Sequence, residues 1–234
     1  MRFLLVICIA LLVLNCEDKQ TSKKSDASAV KDSIVKTESQ KKLKEKTRRE
    51  YPKLTDNNAM EFFLEYEKEH KENKVRIVTD FGNIDILLYD KTKFHRANFI
   101  FLTKQNYFNY TQFYRVVNNF IIQGGNSDGY DVAKRRQKIG RYLLPLDTKR
   151  GYTHKRGTIS MPSGDIENAY KLASPYQFFI VQKKEGAYHL DGEYTVFGEV
   201  IKGMDVVDEI AAVETDQGEW PLKNVFIKTV EIID

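Results

Sequence analysis

The chain has 234 residues, of which 41% are hydrophobic and 30% charged, enough for one sizeable folded domain with extensions. Its formal net charge of +4 is too small, and its charges too unevenly spread, to argue for a nucleic-acid partner. The 14 Phe and 13 Tyr provide for an aromatic-rich core.

Residues 1–15 read as a targeting segment. Arg2 supplies a short positive region, and residues 3–14 form a continuous apolar run too short to span a bilayer. The run ends at Val13-Leu14-Asn15-Cys16, which resembles a bacterial lipoprotein box, with Asn15 where a small residue is usual. That resemblance implies acylation of Cys16 as the mature N-terminus and attachment through buried acyl chains. It places the protein in a bacterial cell envelope, facing the periplasm or the exterior. The alternative is a plain signal peptide or a short uncut anchor. With Cys8 removed and Cys16 lipidated, the mature chain has no thiol pair for a disulfide or a Cys metal site.

Residues 16–50 read as a flexible polar tether, because they offer too little apolar surface to offset ordering. Its basic end, KKLKEKTRR at 41–49, is either a solvated linker or an attraction to anionic lipid. Residues 51–73 read as a helical extension. Thr55 or Asp56 is the expected N-cap, and Ala59, Phe62, Phe63 and Tyr66 fall on one face. That face either packs on the following domain or recognises a partner.

From Val75 the period changes. Val75, Ile77 and Thr79 alternate, then Ile84, Ile86 and Leu88, with Gly82-Asn83 turning between them. A helix is expected over 94–105 and another around Met204, Val207, Ile210 and Ala211. Further strands are expected over 111–117, 120–123, 158–161, 178–182, 195–200 and 225–233. Many short strands with two helices predict a mainly β domain over 74–234, a closed antiparallel barrel.

No HExxH, GxSxG or GxxxxGK[ST] motif is present, and His70, His95, His154 and His189 lack metal-ligand spacing. No metal or cofactor is expected. What remains is Arg115, on a strand where alternation puts it on one face with Phe113 and Val117. Its surrounding string, Phe113-Tyr114-Arg115-Val116 followed by Phe120-Ile121-Ile122-Gln123-Gly124-Gly125, resembles the cyclophilin family of peptidyl-prolyl isomerases. So do Gly157-Thr158-Ile159-Ser160-Met161, Gln177-Phe178-Phe179-Ile180, Leu190-Asp191-Gly192 and Val196-Phe197-Gly198-Glu199-Val200, all in family order. Asn98-Phe99 and Gly203-Met204-Asp205-Val206-Val207 also fit.

The resemblance implies an eight-stranded barrel capped by two helices, acting on Pro-containing polypeptides as a monomer. By matching position it makes Arg115 the catalytic guanidinium. Phe120, Ile121, Phe179 and Leu190 would line a proline pocket, with Tyr194 closing one side and Met161 bordering the groove. Gln123 and Gln177 would hold substrate backbone. A rival reading is a binding module or chaperone scaffold in which turnover is incidental. The chain departs from the family at Pro162, at Ser174-Pro175-Tyr176 and at His189, which is where substrate preference and cyclosporin affinity are expected to differ. His189 is equally well an ordinary surface histidine.

Overall fold

The computed structural model describes residues 50–163 and 168–234. The targeting segment, Cys16 and the tether up to residue 49 lie outside the described residues. Ten strands and four helices follow in order: β1 (Leu54–Thr55), α1 (Ala59–Glu69), β2 (Lys74–Thr79), β3 (Asn83–Leu88), α2 (Lys93–Lys104), β4 (Thr111–Val117), β5 (Ile121–Asn126), α3 (Tyr130–Ile139), β6 (Gly140–Arg141), β7 (Thr158–Ser160), β8 (Phe178–Val181), β9 (Val196–Lys202), α4 (Met204–Ala211) and β10 (Val225–Ile232).

Eight strands close a barrel in the order β10-β2-β3-β9-β7-β8-β5-β4, every pairing antiparallel. Closure removes the exposed edges that an open sheet of this size would present. Alternation decides what fills it. Val75, Ile77 and Thr79 of β2 and Ile84, Ile86 and Leu88 of β3 are buried. Phe99, Phe108, Phe113, Phe178 and Phe197 add an aromatic interior, with Phe99 and Phe108 stacked at 4.7 Å and Phe113 edge-on to Phe178 at 5.9 Å. Helix α2 packs on β9 and β10, and α4 packs on β3, β4 and β5.

Helix α1 begins later than the sequence suggests. Thr55 is taken by β1, and the Asp56 carboxylate accepts from the backbone N–H of Leu143 at 2.9 Å, so Asn58 is the N-cap. The aromatic face of α1 meets α2: Phe62, Phe63 and Tyr66 surround Phe101 at 5.2, 5.8 and 5.5 Å. Buried Arg96 of α2 donates to Glu67 at 2.9 Å, and the Glu67 carboxyl is held low first by its hydrogen bond from Lys71 and then by Arg96. Strand β1 pairs in parallel with β6 as a separate two-stranded sheet. Gly140 permits this contact: its φ is 142°, and a Cβ there would stand 1.9 Å from the Leu54 carbonyl oxygen.

Helix α3 and strands β1 and β6 are not expected from the sequence. In YDVAKRRQKI only Val132 and Ile139 are buried, so α3 has no continuous apolar stripe to announce it.

Candidate active site

Strand β4 carries the central residue, and a bulge sets its direction. Strict alternation would put Phe113, Arg115 and Val117 on one face. Instead the β4–β5 register shifts between Phe113, opposite Gly124, and Arg115, opposite Gln123. One residue is thereby inserted into β4 relative to its partner. Phe113 and Val116 are buried, whereas Tyr114 and Arg115 are both partly exposed. The expected shared face is thus corrected: the bulge turns Arg115 out of the interior that Phe113 fills.

Register then lines up the other side chains. Arg115 is opposite Gln123 on β5, Gln123 is opposite Phe179 on β8, and Phe179 is opposite Ser160 on β7. Met161, one residue past β7, is buried. Beside this row, Ile121, Phe179, Val181 and Ala187 form a buried apolar cluster, and Val117, Phe120, Leu190 and Tyr194 pack on it partly exposed. Tyr194 stands edge-on to Phe179 at 5.7 Å. Exposed His189 stacks over Phe120 at 5.5 Å. Phe120, Ile121, Phe179, Leu190 and Tyr194 are therefore brought into one partly open apolar surface next to Arg115 and Gln123.

The polar side is a short relay. Gln123 Nε2 donates to the Tyr114 hydroxyl at 2.5 Å, and that hydroxyl donates to Gln177 Oε1 at 2.9 Å. Burial pushes the Tyr114 phenol up to about 12, so it stays a neutral hydroxyl that can give and accept at once. Arg115 Nε donates to the Glu219 carboxylate at 2.7 Å. That commits one of five guanidinium N–H donors. Glu219 lies in a loop pinned by Asp216, whose carboxylate accepts from the N–H groups of Gly218 and Trp220, and its carbonyl accepts from Val116 N–H at 2.8 Å.

The paired glycines serve packing here. A Cβ on Gly124 would meet the Phe113 ring at 2.9 Å, and one on Gly125 would meet the Tyr176 carbonyl at 2.6 Å. Among the described residues, no group of three His, Cys, Asp or Glu side chains could hold a metal ion.

Residues 74–232 match the family model described as cyclophilin type peptidyl-prolyl cis-trans isomerase. The chain belongs to the cyclophilin family. It is 37% identical over 145 residues to a peptidyl-prolyl cis-trans isomerase of Acinetobacter baylyi, a match covering 60% of this chain and 73% of that one. It is 35% identical over 169 residues to peptidyl-prolyl cis-trans isomerase-like 2 of Rhizopus delemar, covering 71% of this chain but only 30% of that much longer protein. The crystal structure of a Cryptosporidium parvum cyclophilin, solved in the presence of the dipeptide Ala-Pro, has a TM-score of 0.58 and 26% identity, covering 69% of this chain and 99% of that one.

This cyclophilin barrel also holds a second hydrogen-bonded constellation, behind Phe179. His154 Nδ1 lies 2.6 Å from Asp191 Oδ1, and its Nε2 lies 3.0 Å from the Ser160 hydroxyl. With Asp191 accepting from Nδ1–H, the network assigns Nε2 as acceptor of the Ser160 proton. The connectivity is that of a nucleophile, a base and an orienting carboxylate. Yet His154 is 1% exposed and Ser160 0%, so no reacting carbonyl can reach the serine. Burial lowers the His154 pKa against the opposing pull of Asp191, which keeps the imidazole neutral. The constellation acts on the protein instead. Asp191 also accepts from the His154 backbone N–H, which ties the turn carrying Leu190 to β7 and its lead-in.

Sequence reasoning did not single out Tyr114, Glu219, His154 or Asp191 as site residues. Tyr114 and Asp191 lie inside quoted motifs, so their positions were visible and their partners were not. Glu219 is 104 residues from Arg115 and carries no local signal. Of the family departures, Pro175 and Tyr176 are spent on structure. The Pro175 carbonyl accepts from Asn98, and the Tyr176 hydroxyl donates to the Gly140 carbonyl at 2.7 Å.

Proposed function

We propose that the protein accelerates rotation about X–Pro bonds in polypeptide clients, with Arg115 as the catalytic residue. The single observation that supports this reading is the register row that sets a bulge-exposed Arg115 beside Gln123 and the apolar surface of Phe120, Ile121, Phe179, Leu190 and Tyr194.

The chemistry follows from the amide. Resonance gives the peptide bond a barrier of ~18–20 kcal/mol, and an X–Pro bond isomerises unaided in tens to hundreds of seconds. Twisting breaks the resonance and leaves a lone pair on the prolyl nitrogen. A fixed guanidinium that hydrogen-bonds that nitrogen stabilises the twisted amide more than either planar form, which is differential transition-state binding without a nucleophile or proton transfer. The apolar surface holds the ring, and Gln123 and Gln177, held in line by Tyr114, offer amides to the neighbouring backbone. An isomerisation assay on a proline peptide tests this: turnover no faster than the uncatalysed rate would sink it.

The same reading sets the enzyme in a cell envelope as a monomeric lipoprotein acylated at Cys16, assisting the folding of extracytoplasmic proteins. Its support is the sequence alone: Arg2, the apolar run over 3–14 and Cys16. Metabolic labelling with a fatty acid should mark the wild type and not Cys16→Ser; an unlabelled wild type rules out the anchor.

A further inference from the structure

We propose that the cavity between the start of β4, the head of α3 and the loop carrying Trp220 is a second client site, which takes a Lys or Arg side chain of the polypeptide whose proline lies at Arg115. The proposal rests on the isomerase reading above for its client and on a separate part of the surface for its chemistry.

The cavity has a volume of about 560 Å³. Three of the rings that line it stand open to water, Tyr110 exposed by 68%, Tyr130 by 78% and Trp220 by 47%. An aromatic face attracts a cation placed over it, and the attraction grows when water is excluded. Asp128 and Asp131 line the same cavity, both exposed, and neither makes an ion pair among the described residues. Arg135, the one cation of the lining, is turned to the backbone: its Nε donates to the Tyr107 carbonyl at 3.3 Å and its Nη2 to the Asn109 carbonyl. The lining thus sets two carboxylates and three open rings against one cation already spent on carbonyls. Charge and ring chemistry both favour a positively charged occupant with an apolar stem, which is what Lys and Arg offer.

The walls are set by the fold. Tyr110 is held at a φ of 60°, a left-handed conformation uncommon for an aromatic residue, and its N–H donates to the Ile227 carbonyl at 2.8 Å. On the opposite wall, Gly129 N–H donates to Ser127 Oγ at 3.1 Å, and Gly129 is the N-cap of α3, so the turn fixes Asp128, Tyr130 and Asp131 together. Trp220 N–H donates to Asp216 Oδ1 at 3.0 Å, and its ring lies 5.8 Å from that of Tyr114. A site already ordered costs its occupant less to fill.

Trp220 also ties the cavity to the catalytic residue. It follows Glu219, the partner of Arg115, and its ring rests beside Tyr114 of the Gln123–Tyr114–Gln177 relay. Gln112 lines the cavity and precedes Arg115 on β4 by three residues, about 10 Å of extended chain. The β4–β5 register runs from Val117–Ile121, at the apolar cluster, to Gln112–Asn126, at the cavity. A client with its proline ring on Phe120 and Leu190 that continues past Arg115 in this direction brings a side chain two to four residues from the proline over the cavity.

The test uses the full chain and fluorescent peptides with one proline and one Lys, the Lys moved stepwise through the flanking positions, each paired with its Nε-acetylated counterpart. Affinity is read by anisotropy, which needs no turnover. With Lys two to four residues to one side of the proline, the charged peptide should bind roughly 3- to 10-fold tighter at low salt, and the preference should shrink as salt rises. Trp220, the chain's single tryptophan, should report that binding by a change in its emission. Asp128→Asn/Asp131→Asn, both at exposed positions, should bring the Lys peptide down to the affinity of its acetylated counterpart. Equal affinity for charged and acetylated peptides at every position, a preference that survives in the double variant, or a preference without a change in Trp220 emission overturns the proposal. Sedimentation of the protein alone is run beside it: self-association lost in the double variant would assign the cavity to a second copy of the chain and overturn the client reading. Isomerisation of the same peptides is followed in parallel, so a failure of turnover counts against the isomerase reading and leaves the cation site to stand or fall on binding.

Discussion

Two hydrogen-bonded constellations flank Phe179, and they differ mainly in exposure. On the open side, Arg115 is held by Glu219, and Gln123, Tyr114 and Gln177 form a relay along the groove. On the closed side, Asp191, His154 and Ser160 form an equally connected set whose imidazole and hydroxyl are buried, with only Asp191 partly exposed. The closed set has residue types usually associated with chemistry, and the open set has one arginine and two amides. Burial reverses that expectation. A buried polar network rigidifies the chain around it, while a partly exposed cation remains available to a ligand.

The contrast is sharpest in Arg115→Ala. Its turnover should fall by roughly 10²–10³, the cost of losing one transition-state donor, while stability in urea should change by less than about 1 kcal/mol, since only a partly exposed ion pair is lost. An unchanged rate would remove Arg115 from its role.

Acid should act on the closed interior and spare the open face. His95 of α2 is fully buried, neither ring nitrogen has a partner among the described residues, and burial lowers its pKa to about 4 against a weak opposing pull from Asp147. An unfolded histidine takes its proton near 6.5, so between pH 6.5 and about 4 the unfolded chain binds more protons than the folded one. Stability is therefore full above that window and falls as pH drops through it, by about 3 kcal/mol for His95. His154 shifts in the same direction and adds to the loss. Urea midpoints across this range should fall, and His95→Phe should flatten the slope. Activity per folded molecule should stay nearly level, because the proposed step transfers no proton. A steep activity profile would instead mean that a proton is transferred in the step.

His154→Ala tests the closed side directly. It strands the Ser160 hydroxyl, leaves Asp191 with only the backbone N–H of residue 154, and opens a void, so stability should fall by about 2 kcal/mol or more. The folded fraction should show a raised KM with a smaller change in kcat, because the turn bearing Leu190 is loosened while Arg115 is untouched. An equal fall in kcat with KM unchanged would count against a positioning role, and recovery in His154→Gln would support it.

The smallest effect is expected from Glu219→Gln. Freed from its charged partner, Arg115 should sample more orientations, and kcat/KM should drop by roughly 2- to 5-fold, the scale of an exposed ion pair. A rise would mean that Glu219 competes with the substrate for the guanidinium.

Local patterns in the sequence determined much of this protein. Period-2 alternation marked β2 and β3, where Val75, Ile77, Thr79, Ile84, Ile86 and Leu88 are buried, whereas β7 and β8 are buried at every residue and carry no such period. Helical spacing marked α2 and α4, each with a substantial buried face. The ordered motifs placed Phe120, Ile121, Gln123, Phe179, Leu190 and Tyr194, and the structure gathers them around two neighbouring strand pairs and one turn. What depended on distant partners stayed hidden. Short β1 and β6 are stable only because they meet, and α3 has too little apolar surface to be recognised alone. The direction of Arg115 was set by a bulge, which shifts side chains between faces without changing the residues that spell the strand. Its partner Glu219 and the contrast between an open arginine and a closed histidine arose from barrel closure, since burial belongs to the packed chain and not to any segment of it.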